Sequence, residues 1–184
     1  MSCVRKKGKS LLNFVSDYVL LDIETTGLSP TNDEIIEIGA IKVRNDEIVK
    51  EFSKLIKIDF SLPPFITKLT GITDEMLASG DDIQVVLSEL INFIGDDIII
   101  GHNVNFDINF IYDKCQKHLN YELTNNFIDT MRIARRNVEL PNYKLGTLAK
   151  YFNIDYSDAH RGANDVKITY QIYNIIKEKN LTVK

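Results

Sequence analysis

The chain has 184 residues, 44% hydrophobic and 26% charged, which suits one globular domain able to bury its own core. No stretch approaches the roughly 20 apolar residues of a membrane span, and the N-terminus lacks a signal peptide's apolar run, so no membrane partner is expected. Formal net charge is −4; Arg5, Lys6, Lys7 and Lys9 lie in the first ten residues, so the remainder carries −8. An acidic body argues against broad clamping of long duplexes but allows a grip on one strand end and local recruitment of cations.

Residues 1–16 read as a basic, flexible lead-in, and 17–184 as a single domain. YVLLDIE, 18–24, reads as a buried strand ending in a Thr-Thr-Gly turn. EIIEIGAIKV, 34–43, and EIVKEFSKLIKI, 47–58, read as two more strands, with Asn45-Asp46-Glu47 as the hairpin turn. PPFITKLTGIT and DEMLA, 63–78, are short helical turns with proline starts and a glycine stop.

The apolar positions 83, 86, 87, 90, 91 and 94 have helical spacing, with Asp81 or Asp82 as cap and Gly95 as stop. DIIIG, 97–101, is a short buried strand, and 105–119 a helix opened by Asn105 as cap. FIDTM is a further strand; 131–137, 144–152 and 163–179 are helices. Three meandering strands followed by alternating helices and strands predict an α/β fold with a mixed β-sheet flanked by helices. Cys3 and Cys115, without metal-ligand spacing, suit a reducing cytoplasm.

Three segments carry chemistry. On a strand, residues two apart share a face, so Asp22 and Glu24 present their carboxylates together while Ile23 turns into the core. Such a pair repels itself unless a cation intervenes, and oxygen-only ligation suits Mg²⁺ or Mn²⁺. In IIIGHNVNFDINF, 98–110, Asp107 occupies a first helical turn, where it suits either a site or the helix dipole. His102 and Asn103 lie on the strand-to-helix loop, as substrate contacts or as loop braces.

In DAHRGANDV, 158–166, Asp165 shares a helical face with Thr169, Ile172 and Ile176 and so faces inward, where it needs a compensating charge. His160 stands in the preceding loop, with the pKa range of a proton acceptor near neutral pH. Four acids and one histidine are the inventory of phosphodiester hydrolysis with two divalent ions.

DIETTG, GHNVNFD and HRGAND, in this order, resemble the three motifs of the DEDD exonuclease superfamily, and the histidine five residues before the last aspartate resembles its DEDDh, DnaQ-like 3′–5′ branch. The resemblance implies a ribonuclease H-like fold from about Asp17 to Lys179. It implies two Mg²⁺ or Mn²⁺ ions: Asp22, Glu24 and Asp165 hold one, Asp22 bridges to the second, and Asp107 serves that second ion partly through water. It makes His160 the general base. Thr25, Thr26, Gly27 and Leu28 would then seat the 3′-terminal nucleotide, with Leu28 wedged against the last bases, and His102 and Asn103 could touch sugar or phosphate.

The lead GKSLLNF…DYVLLDIETTG looks most like the exonuclease segment of Gram-positive-type replicative polymerase III, with likeness also to the proofreading epsilon subunit. No polymerase follows in this chain, so a replicative polymerase is expected as a partner in trans. Gly162, where the family more often has alanine, is expected to loosen the approach to the last helix. Arg132, Arg135, Arg136, Lys144 and Lys150, against Glu139 alone, form either a phosphate-tracking surface or solvated helix faces. Tyr143 could stack a base or pack. The expected activity is metal-dependent 3′–5′ hydrolysis from the 3′ end of mainly single-stranded DNA. The alternatives are short RNAs as substrate, or an idle exonuclease-like binding module.

Overall fold

The computed structural model describes residues 5–156 and 161–182. In chain order the elements are β1 (Ser10–Leu11), β2 (Tyr18–Thr25), β3 (Ile35–Arg44), β4 (Glu47–Leu55), α1 (Pro64–Thr70), α2 (Asp74–Ala78), α3 (Ile83–Ile94), β5 (Ile99–Gly101), α4 (Asn105–Leu119), β6 (Phe127–Asp129), α5 (Thr130–Asn137), α6 (Leu145–Tyr151) and α7 (Gly162–Thr182). The strands form one mixed sheet in the order β1-β6-β5-β2-β3-β4. β2, β3 and β4 are an antiparallel meander, whereas β5, β6 and β1 add in parallel on the other side of β2.

Strand alternation sorts β2 between two cores. Val19, Leu21 and Ile23 join Ile38 and Ala40 under α3 and α4. Tyr18 and Leu20 face the other way, joining Ile41 and Val43 under α5, α6 and α7. A smaller cluster of Ile36, Leu62, Ile66, Ile72 and Leu77 lies beneath α1 and α2. The result is a three-layer arrangement with β2 near its middle.

Local chemistry explains most boundaries. Asn45 and Asp46 both adopt positive φ, 51° and 66°, as a tight hairpin turn between right-twisted strands requires. Pro64 opens α1, and Gly71 closes it at φ 72°. The Asp82 side chain accepts the Gln84 N–H at 2.8 Å and caps α3. Asn105, by contrast, is the first residue of α4 and not its cap: Val104 precedes the helix without a side-chain cap, and the Asn105 Oδ1 accepts from Lys7 Nζ. The strand expected over 47–58 ends at Leu55, three residues short of Ile58: the Ile56 amide still donates to the Ile36 carbonyl of β3, but on its other side the backbone bonds Asp81, through the Leu55 carbonyl and the Lys57 amide.

The basic lead-in departs most from expectation. Residues 5–16 lie along the body. Ser10–Leu11 pairs in parallel with β6, and Leu11, Leu12, Phe14 and Val15 cover the core beneath α7. Arg5 forks onto the Asp113 carboxylate at 2.5 and 2.6 Å, and Lys7 Nζ reaches Asn105 and Asn109. Lys177, buried on α7, ties down the Val15 carbonyl, Ser16 Oγ and Asp46. In the lead-in, Arg5 and Lys7 are spent on fixed acceptors, Lys6 pairs with Glu122 at the surface, Lys9 stays exposed, and the apolar residues finish a core.

Candidate active site

Asp22 and Glu24 lie on the face of β2 that looks toward α7. Directly opposite Asp22 in the ladder is Gly39. A side chain there would collide with the backbone of Gly162 and Ala163, 2.3–2.5 Å from an added Cβ. The bare strand lets the start of α7 descend onto β3, and Gly162 in turn sits against the Gly39 backbone. Gly162 therefore provides a close approach and does not loosen it. One turn into the helix, Asp165 points down: it is buried, on one face with buried Thr169, Ile172 and Ile176.

Asp22, Glu24 and Asp165 each offer an oxygen, and the three oxygens lie within 4.8 Å of one another. Asp107 arrives from the first turn of α4, buried, with its Oδ1 accepting the Ile23 N–H at 3.1 Å. It stands beside the three-oxygen group and is not one of its members. His160 lies outside the described residues.

The electrostatics are those of a site short of positive charge. Burial first, then Asp107, Glu24 and Asp165, pushes the Asp22 carboxyl well above the ordinary carboxylate range. Glu24 is raised to about 7, by burial and then by Asp165 and Glu37, against the lowering influence of Arg161. Burial also raises Asp107 well above its usual value, although the amide hydrogen bonds it accepts pull the other way. A divalent cation held among these oxygens would relieve all of these. The donors are hard oxygens, several are anionic, and they converge, so the residues fit Mg²⁺ or Mn²⁺.

Thr25 and Thr26 spend their hydroxyls within the turn: Thr25 Oγ1 donates to the Gly27 carbonyl at 2.6 Å, and Thr26 Oγ1 accepts from the Glu34 amide. Both are buried, so what the turn can offer a ligand is backbone and Leu28, whose side chain is 84% exposed. Glu34 holds this turn through its backbone and is itself held by Lys114, a buried lysine on α4 at 2.7 Å. His102 is a brace. Its Nε2 faces the Tyr143 carbonyl at 2.8 Å, which can only accept, so Nε2 carries the proton and Nδ1 takes the Thr130 hydroxyl at 2.9 Å. Burial lowers its pKa. Asn103, at φ 61°, donates its amide to Asp129, which also caps α5.

Sequence reasoning missed Glu37, a buried acid on β3 that accepts a forked pair from Arg161. Its signal was a lone acid inside the apolar run IIEIGAI. Tyr156 was also missed. Its ring lies against Gly146 of α6, and its hydroxyl feels Asp165, Asp22 and Glu24. That contact brings the start of α6, with exposed Lys144, toward the carboxylates. Arg135, Arg136 and Lys150 are likewise exposed, whereas Arg132 is engaged with Ser10. Tyr143 packs, with its hydroxyl on the Val138 carbonyl and Arg135 over its ring.

A mixed sheet bearing carboxylates at the end of its central strand, covered by a terminal helix that supplies another, is the ribonuclease H-like arrangement. The family profile for "Exonuclease" matches residues 19–173, and this chain belongs to that exonuclease family. It is 40% identical over 173 residues to the PolC-type DNA polymerase III of Caldanaerobacter subterraneus, covering 94% of this chain and 12% of that protein. Against the same polymerase of Bacillus subtilis it is 38% identical over 164 residues, covering 88% and 11%. The chain thus spans about an eighth of the curated relatives it matches. Among solved structures, exonuclease X in complex with 5′-overhanging duplex DNA superposes with a TM-score of 0.70 at 26% identity, covering 88% of this chain and 92% of that one. Exonuclease I superposes at 0.79 with 22% identity, covering 89% and 41%, which establishes the shared fold.

Proposed function

We propose that the chain removes nucleoside 5′-monophosphates from the 3′ end of single-stranded or frayed DNA, with two divalent cations, Mg²⁺ or Mn²⁺, as cofactors. The observation that carries this is the convergence of the Asp22, Glu24 and Asp165 oxygens beside an exposed Leu28 turn. Asp22, Glu24 and Asp165 would hold one cation, and Asp22 together with Asp107 a second. When bound, such cations supply positive charge for the scissile phosphate and lower the pKa of water beside it. Leu28 bears on the terminal base, the backbone of Thr25, Thr26 and Gly27 lines its seat, and Lys144 and Lys150 follow the phosphates.

His160 takes the proton from the attacking water. The water oxygen bonds to phosphorus, the bond to the preceding 3′ oxygen breaks, and that oxygen takes up a proton to leave a new 3′ hydroxyl. His102 and Asn103 act here as braces. The DNA held by exonuclease X and the polymerases among the relatives support DNA over RNA, a replicative polymerase as partner, and the cytoplasm as the place of action.

The test is shortening of a 5′-labelled oligonucleotide with Mg²⁺ or Mn²⁺, on DNA and RNA side by side. Wild type should shorten DNA, and His160→Gln should retain metal binding while losing most turnover. Failure of wild type to shorten any strand with either metal would leave a binding module as the reading. Faster loss of RNA would change the substrate.

A further inference from the structure

A fifth carboxylate stands on the face that carries Asp22 and Glu24. Glu37 lies directly opposite Glu24 in the β2–β3 ladder, and its side chain is almost wholly buried. Like charges facing each other across a sheet destabilise it, and a buried carboxylate needs donors. All the donors that Glu37 receives among the described residues come from the two that open α7. Arg161 Nη2 lies 2.8 Å from Oε1, Arg161 Nε lies 3.2 Å from both oxygens, and the Gly162 amide donates to Oε2 at 3.0 Å.

Arg161 then passes the constraint on. Its carbonyl accepts the Asp165 N–H at 3.0 Å, so the residue gripped by Glu37 is also the one on which Asp165 hangs. The bare Gly39–Gly162 contact sets how close the helix comes, while the Glu37 fork sets its position along β3.

We propose that Glu37, acting through Arg161 and the Gly162 amide, is a positioning residue of the metal site: it fixes the start of α7 so that the Asp165 oxygen meets those of Asp22 and Glu24. Arg161 at the same time keeps Glu37 engaged and out of the ligand set. This rests on the reading that these carboxylates hold divalent cations.

Mn²⁺ binding to the full chain, followed by calorimetry or by the electron paramagnetic resonance of free Mn²⁺, tests it without recourse to activity. Glu37→Gln removes the ion pair in nearly the same shape. Arg161→Lys leaves every charge in place and removes only the fork. Both should weaken Mn²⁺ binding, by about 10-fold for the first and several-fold for the second, the usual size for a residue supporting a ligand. The Mg²⁺ concentration for half-maximal turnover should rise by the same factors, with KM for the oligonucleotide unchanged. Wild-type affinity in Arg161→Lys overturns the positioning role, whatever Glu37→Gln does, because charge alone would then account for the effect. A lower melting temperature with unchanged Mn²⁺ binding in both variants makes the pair a scaffold only. Absence of Mn²⁺ binding in wild type overturns the metal-site reading itself, and the positioning role with it.

Discussion

At the scale of single residues, the carboxylates work against the fold that holds them. Glu24 binds its proton more tightly in the folded protein, near pH 7, than at its ordinary value of 4.5. A raised carboxyl contributes stability that is complete below the ordinary value and is lost as pH rises through the folded one. Metal-free protein should therefore melt lower at pH 8 than at pH 5, by roughly 5 °C or more, and millimolar Mg²⁺ or Mn²⁺ should restore much of the difference at pH 8. A flat melting profile across this range in EDTA would contradict the charge crowding. Asp22→Asn removes one of the repelling charges. It should raise the metal-free melting temperature at pH 8 while lowering oligonucleotide turnover by about 10³-fold, several kcal/mol of lost transition-state stabilisation. A variant that lost both stability and turnover would show Asp22 to be structural.

At the scale of elements, two junctions decide whether the site exists. α7 reaches β3 only because Gly39 is bare. Gly39→Ala drives a methyl group into the backbone of Gly162 and Ala163 and should cost about 3 kcal/mol, read as a lower midpoint in urea. Wild-type stability in that variant would mean that the helix can shift at no cost. The second junction is the Lys114–Glu34 pair, which links α4 to the turn at 25–28. Lys114→Met leaves Glu34 without its closest cation, although Glu34 is partly open to water. It should destabilise by about 2 kcal/mol and raise KM for the oligonucleotide more than it lowers kcat, since the turn moves while the carboxylates stay. An unchanged KM would sever the turn from the pair.

At the scale of the whole molecule, the lead-in is a structural part of the sheet and of the core under α7. Removing residues 1–16 takes away β1, the Arg5–Asp113 fork, and the cover provided by Leu11, Leu12, Phe14 and Val15. Each well-buried apolar side chain is worth about 1.5–3 kcal/mol when fully buried, and these are partly so. The truncated chain should melt at least about 4–8 °C lower, since the combined loss exceeds about 2 kcal/mol. An identical melting curve would restore the view of residues 1–16 as a detachable tail. The exposed cations of α5 and α6 act over a longer range. Lys144→Ala with Lys150→Ala should raise KM for single strands and flatten its salt dependence, with the melting temperature unchanged.

Much of this was legible in the residues. Periodicity placed the later helices because their apolar faces repeat, and the spacing of Asp22 and Glu24 placed both acids on one sheet face, because alternation along a strand is local geometry. The inward direction of Asp165 followed from Thr169, Ile172 and Ile176 for the same reason. Tertiary structure alone decided the rest. That His102 braces a loop depends on a carbonyl 41 residues away, and that Ser10–Leu11 joins the sheet while Arg5 and Lys7 bind α4 depends on partners more than 90 residues along the chain. The role of Glu37 depends on Arg161, 124 residues distant, and the glycine of β3 acquires its meaning only when α7 lands on it. Short-range periodicity is written in neighbouring residues, whereas charge compensation and close approach belong to pairs that only folding brings together.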